Sequence, residues 1–168
     1  SNRRSASSKG RTNSHGSDDA RNQLNAVHAA FAVIEFEPDG TIITANDNFL
    51  KTLGYNLDEI QGKQHRLFVD AEYATSPAYR DFWAALSRGE SQAGEFKRIA
   101  KDGSEVWIYA RYSALLDENG KTYKVVKFAT DITEDVKRRE KALDYQNQIQ
   151  AISAAQAVIE FEPNGTII

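Results

Sequence analysis

The spacing of apolar positions along this chain changes several times, and each change predicts a different element. After Asp18 and Asp19, residues Leu24, Val27, His28 and Phe31 fall at i, i+3, i+4 and i+7. That is one face of a helix over 18–31, with the two acids at its electropositive end. His28 stands at the edge of this face. From Ala32 the period drops to two: Ile34 and Phe36 alternate with Glu35 and Glu37. "EPDGT" then supplies a turn, with Gly40 free to take a positive φ, and "TIITA" returns as the second strand of a hairpin.

Helical signals follow. Asp47 can cap "NFLKTL", which Gly54 ends, and Asn56 with Glu59 forms a capping-box pair ahead of "LDEIQ". After the less regular "KQHRLFVDAEYAT", Ser76–Pro77 opens a helix that Gly89 closes. Its Tyr79, Phe82, Trp83 and Leu86 repeat the i, i+3, i+4, i+7 spacing, a stripe suited to packing on a sheet. Three strands come next, "AGEFKRIAK", "SEVWIYARYSALL" and "TYKVVKFAT", separated by the hairpin signals Asp102–Gly103 and Asn119–Gly120. In the middle strand Val106, Ile108, Ala110 and Tyr112 share one face, and Trp107, Tyr109 and Arg111 share the other. Turns this short force antiparallel pairing. The expectation is an α+β fold: a five-stranded antiparallel sheet with helices on one face and a flanking helix at each end. The last of these, over 133–156, lacks Gly and Pro. Its narrow, imperfect seam of Ile132, Val136, Leu143, Tyr145, Ile149 and Ile152 suits a dimer contact or an interdomain rod.

Part of the chain is written twice. Ala26–Ile43 and Ala151–Ile168 agree at 14 of 18 positions with an offset of 125 residues. The second copy keeps the helix end, strand, turn and strand start, so 157–168 reads as the start of a second module in a longer parent chain. His28 becomes Ser153 in that copy, which argues against a fixed chemical role for His28. Methionine is absent even at position 1, and Ile168 falls inside an apolar stretch, so both ends look imposed. Residues 1–17, rich in Ser, Arg, Gly and Asn with no acid, read as a disordered basic tail. The module between is placed at 32–132.

Composition removes several chemistries. With no cysteine there is no disulfide, thiolate nucleophile, iron–sulfur cluster or covalent flavin–thiol adduct. A net charge of −3 gives no reason to expect nucleic acid, and "KRREK" reads as a solvated helix face. No apolar run reaches the roughly 20 residues of a membrane span and no signal peptide is evident, so a cytoplasmic location is expected. Glu35, Glu37 and Asp70 are the available acid–base candidates, but they read as solvated edges. Without a nucleophile–base pair, phosphate loop or metal cluster, no enzyme is expected.

"VIEFEPDGTIITANDNFLKTLGYNLDEIQGK" and "FKRIAKDGSEVWIYARYSALLDENGKTYKVVKFATDIT" resemble the PAS sensory fold with its C-terminal PAC-type motif. The resemblance is carried by Asn46, Gly54–Tyr55, "KDGSEVWI" and Asp131–Ile132–Thr133, and covers about Ala30 to Glu134. The combination "FWAALSRGE…GEFKR…KDG…VWI…KVVKFATDIT" is similar to the paired N-terminal PAS domains of soluble bacterial methyl-accepting chemotaxis proteins, and more distantly to the flavin-binding PAS domain of aerotaxis receptors. The resemblance implies a sensory and dimerisation module, homodimeric through its flanking helices. Asp131, Ile132 and Thr133 would relay its state towards a second PAS domain and a signalling output region in the parent chain. It also implies a ligand or cofactor pocket, assigned to Phe49, Leu53, His65, Phe68, Phe82, Trp83, Leu86, Trp107 and Phe128. Three occupancies stay open. Haem b would use His65 of "GKQHRLF" as its iron ligand, although a surface position beside Arg66 is the plainer reading of that histidine. FAD is less favoured, because "FVDAEYA" stands where aerotaxis receptors carry an Arg-His-Pro-Asp stretch. The third is no cofactor, with a packed pocket or a small-molecule ligand.

Overall fold

Two hairpin-connected groups of strands close into one sheet in the structure, a computed structural model that describes residues 13–158. Strands β1 (Ala32–Phe36), β2 (Ile42–Ala45), β3 (Gln92–Ile99), β4 (Glu105–Leu116) and β5 (Thr122–Asp131) lie in the order β2-β1-β5-β4-β3, every pair antiparallel. The early hairpin therefore joins the later three strands through β1 and β5, where Ala32 faces Ala129 and Phe36 faces Val125. Helices α1 (Asn13–Ala30), α2 (Asp47–Leu53), α3 (Leu57–Ile60), α4 (Ala71–Ala74) and α5 (Pro77–Ser87) complete this unit, with a 3-10 turn at His65–Phe68. The chain divides after Asp131 into a second unit that contains α6 (Thr133–Val158). Helix α1 begins earlier than Asp18, so Asn13–Ser17 is helical; the rest of the basic tail lies outside the described residues. So does the second-module start, apart from the last two residues of α6.

Period-two patterning decides what the sheet buries. On β4, Val106, Ile108, Ala110 and Tyr112 point into the core, while Tyr109 is 56% exposed on the other side. On β5 the inward positions are Val125, Lys127 and Ala129. The inner face packs against Phe49 and Leu53 of α2, Ile60 of α3, Phe68 of the 3-10 turn, and Trp83 and Leu86 of α5. Each such large apolar side chain stabilises the fold by about 1.5–3 kcal/mol relative to exposure.

Polar anchors fix where the helices meet this wall. Asn46, not Asp47, caps α2: its side-chain oxygen accepts from the Phe49 and Val33 amides, and its Nδ2 donates to the His28 and Phe31 carbonyls. One amide thus joins the end of α1, the start of α2 and strand β1. Asn48 adds donations to the His28, Ala29 and Phe31 carbonyls. The Asn56–Glu59 capping box and the Ser76 cap with Pro77 at the first turn form as the sequence predicts. Gly40, at φ +90°, has a second constraint: a Cβ there would sit 3.3 Å from the Trp83 ring.

Candidate functional site

His65 is the centre of the buried polar network. Its position follows from the 3-10 turn, held to the hairpin by the bond from the His65 amide to the Gly40 carbonyl at 2.9 Å. The side chain is fully buried, with Nδ1 3.0 Å from the Tyr79 hydroxyl of α5 and Nε2 3.0 Å from the Tyr112 hydroxyl of β4. Phe36, Phe68 and Trp83 meet the imidazole edge-on at 5.4, 6.0 and 5.2 Å between centroids. Burial, reinforced by the charges of Arg98 and Lys127, holds the His65 pKa well below its ordinary value, so the ring is neutral.

The donors and acceptors select one tautomer. The Tyr112 hydroxyl accepts from Arg98 Nη2 at 2.9 Å, which leaves its own hydrogen to donate to His65 Nε2. His65 then carries its proton on Nδ1 and donates to Tyr79. This assignment follows from the hydrogen-bond pattern. Burial pushes the Tyr79 hydroxyl up to about 12 and raises that of Tyr112, so both remain protonated.

Arg98 on β3 and Lys127 on β5 complete the site, both on the same inner face. Lys127 is the cross-strand partner of Tyr112, and its ammonium lies over the Phe49 and Tyr112 rings at 5.4 and 4.9 Å. The Arg98 guanidinium lies over Phe96 at 4.9 Å and donates from Nη1 to the Lys97 carbonyl. Burial, and secondarily Arg98, lowers the Lys127 pKa well below its ordinary value.

The structure brings together His65, Phe49, Leu53, Phe68, Trp83 and Leu86, with Phe82 packed at the edge of the same cluster. Trp107 and Phe128 are corrections to the expected pocket. Alternation along their strands turns both to the opposite face, where Phe128 lines a hollow of about 300 Å³ with Val27, Phe31, Tyr109, Arg111 and Thr130. His65 is a second correction. It is neither a surface residue beside Arg66 nor available to haem iron, because both ring nitrogens are engaged by tyrosine hydroxyls. Arg98, Lys127 and Tyr112 are functional candidates absent from the expected pocket. The available signal was their parity: Arg98 shares a face with Phe96 and Ala100, and Lys127 with Val125 and Ala129. Asp131 ends β5, Thr133 begins α6, and only Ile132 separates them.

A flavin finds a mixed fit here. Arg98 Nε and Trp83 Nε1 are buried donors suited to its oxygens. The closely packed rings around His65 and Tyr112 leave no slot for a tricyclic ring unless they move. Among the described residues no group of His, Cys, Asp and Glu could hold a metal ion, and no helix is long and apolar enough to cross a membrane.

Comparison with known proteins agrees with this architecture. The chain is 39% identical over 139 residues to the biofilm dispersion protein BdlA of Pseudomonas aeruginosa, covering 83% of this chain and 33% of that protein. It is 31% identical over 94 residues to the aerotaxis receptor of Escherichia coli, covering 56% of this chain and 18% of that one. The chain thus spans a third or less of these two relatives. The light-state structure of the blue-light photoreceptor aureochrome1 LOV matches with a TM-score of 0.55 and 25% identity, over 74% of this chain and 98% of that one. The family model described as the PAS fold matches residues 42–129, from β2 through the inward-facing Ala129 of β5, and the chain belongs to that family.

Proposed function

We propose that this chain is a non-catalytic sensory input module of a chemotaxis-type signalling protein, in which the state of the His65–Tyr112 network is passed through Asp131–Ile132–Thr133 to α6. The observation that carries the reading is one of continuity. Lys127, inside the network, and Asp131, at the strand end, belong to the same strand, and α6 starts two residues after that end. A change in how Lys127 and Tyr112 pack shifts β5 along its length, and a helix following directly from a strand converts a small shift into rotation or repacking. The likeness to the aerotaxis receptor and to BdlA supports the signalling context.

The module would work as a homodimer. Tyr145, Ile149 and Ile152 of α6 fall at i, i+4 and i+7 and are each 46–66% exposed, a row of apolar side chains that a second α6 would cover. Fusing the chain to a chemoreceptor output region tests the relay. Tyr112→Phe should change basal output, and inserting one residue after Ile132 should uncouple output from the pocket; if neither does, the relay reading is wrong.

A second reading, a redox-responsive flavin sensor, is favoured by the likeness to a blue-light photoreceptor domain. Without cysteine such a flavin would form no thiol adduct. Yellow protein releasing a fluorescent flavin on denaturation is the expected result of that reading, and colourless protein that fails to take up FAD or FMN ends it.

A further inference from the structure

The inner face of the sheet holds two cations and no acid. Arg98 is 3% exposed and Lys127 1%, and no ion pair among the described residues includes either. The side chains shown against them are Tyr112, Phe49 and Phe96, and His65 joins them through the Tyr112 hydroxyl; none carries negative charge. Both cations border one ring, since the Arg98 guanidinium is 6.0 Å and the Lys127 ammonium 4.9 Å from the centre of Tyr112. Arg98 commits Nη1 to the Lys97 carbonyl and Nη2 to Tyr112, but its Nε has no hydrogen-bond partner. Neither has Trp83 Nε1: the indole is near enough to the Tyr79 hydroxyl to oppose the burial that raises its pKa, but the pair lacks hydrogen-bond geometry.

An interior arginine cannot shed its proton. A buried charge without a counter-charge, beside donors without acceptors, is among the costliest arrangements a core can hold, and such arrangements concentrate where a ligand supplies what is missing. We infer that this part of the core is a binding site for a small carboxylate, seated between Arg98 and Lys127 with the Trp83 indole N–H as an added donor. The Nε edge of a guanidinium matches the two oxygens of a carboxylate, and the close ring packing admits a group of few atoms more readily than a nucleotide.

Both unpartnered donor atoms are sealed from solvent, so the ligand enters by parting α5, which carries Trp83 and Tyr79, from β3–β5, which carry Arg98 and Lys127. That movement is the pocket-state change invoked above, and only this consequence rests on the sensory reading; binding itself does not.

The test is a titration of the 168-residue chain with acetate, malonate and succinate at constant ionic strength balanced with chloride. Tm and the Trp83 indole N–H resonance are the readouts. The expected result is a saturable rise in Tm with at least one of them, the indole resonance moving in step. Affinity should fall roughly tenfold or more in Arg98→Gln and in Lys127→Met. In carboxylate-free buffer Lys127→Met should keep or raise Tm, because it removes an uncompensated buried charge. The inference is overturned by no saturable response to any of the three, by an unchanged response in both variants, by a response to inorganic phosphate alone, or by a Lys127→Met variant that is strongly destabilised without ligand. A failed titration with the Tyr112→Phe effect on output intact would sink this site and spare the relay; binding without any effect on output would do the reverse.

Discussion

Tyr112 and Lys127 face each other across β4 and β5, the lysine ammonium 4.9 Å from the centre of the tyrosine ring, with both side chains closed off from solvent. The tyrosine hydroxyl meanwhile joins Arg98 to His65. Tyr112→Phe keeps the ring over Lys127 and deletes only the hydroxyl, leaving Arg98 Nη2 and His65 Nε2 short of a partner. Unfolding in urea should show a loss of about 2–3 kcal/mol with an unchanged m-value. A loss within about 0.5 kcal/mol would mean the network contributes little.

His65 sets a pH dependence with a definite sign. Its folded-state pKa lies well below the ordinary 6.5, through burial and then through Arg98 and Lys127, so the unfolded chain binds a proton that the folded one refuses. The His65 contribution is therefore full above pH 6.5 and is lost as pH drops below it, by up to about 1.4 kcal/mol per pH unit. Lys127, also depressed, adds a slope of the same sign below its ordinary 10.5. Urea midpoints across mildly acidic pH should show the loss, and His65→Gln should flatten the part that begins near 6.5. An equal slope in the variant would assign the effect elsewhere.

Asn46 should matter more than an ordinary cap. Its side chain accepts from two amides and donates to two carbonyls across α1, α2 and β1. Asn46→Ala should cost about 2–4 kcal/mol, above the roughly 1 kcal/mol of a typical cap. Asp47→Ala, beside it but not the cap, should cost much less. Gly40→Ala combines a left-handed φ with contact to the Trp83 ring and should lose about 1–2 kcal/mol or more. Chemical denaturation of the three variants decides both points.

Self-association should depend on α6. Ile149→Glu places a charge in the exposed apolar row and should shift sedimentation from dimer to monomer, whereas Glu140→Gln, outside that row, should not. Equal sedimentation of the two variants would remove α6 from the proposed self-association.

The sheet was legible from the chain because alternation and short turns determine pairing with little help from tertiary context. Asp102–Gly103 and Asn119–Gly120 made the three late strands consecutive, and the parity of Val106, Ile108, Ala110 and Tyr112 separated the two faces of β4. Which face turns inward was not legible, since each carries aromatics: Trp107 and Tyr109 on one, Tyr112 on the other. Only the curvature of the assembled sheet and the position of α5 decide it. The same limit placed Phe128 in the pocket in place of Lys127, because local sequence pattern assigns lysine to solvent and cannot anticipate aromatic rings above and below it. His65 was singled out as an iron ligand, and the structure instead places it between two tyrosine hydroxyls in the core. Its real partners, Tyr79 and Tyr112, are 14 and 47 residues away in sequence, and no local motif announces them.

The central claim is that the buried network and α6 are energetically coupled. Amide hydrogen exchange of residues 133–156, compared between the wild-type chain and Tyr112→Phe under conditions where both are fully folded, measures this directly. Altered protection in α6, beginning at its first turns after Thr133, is the predicted result. Exchange changes confined to β3–β5 and α5, with α6 identical in the two proteins, would contradict it.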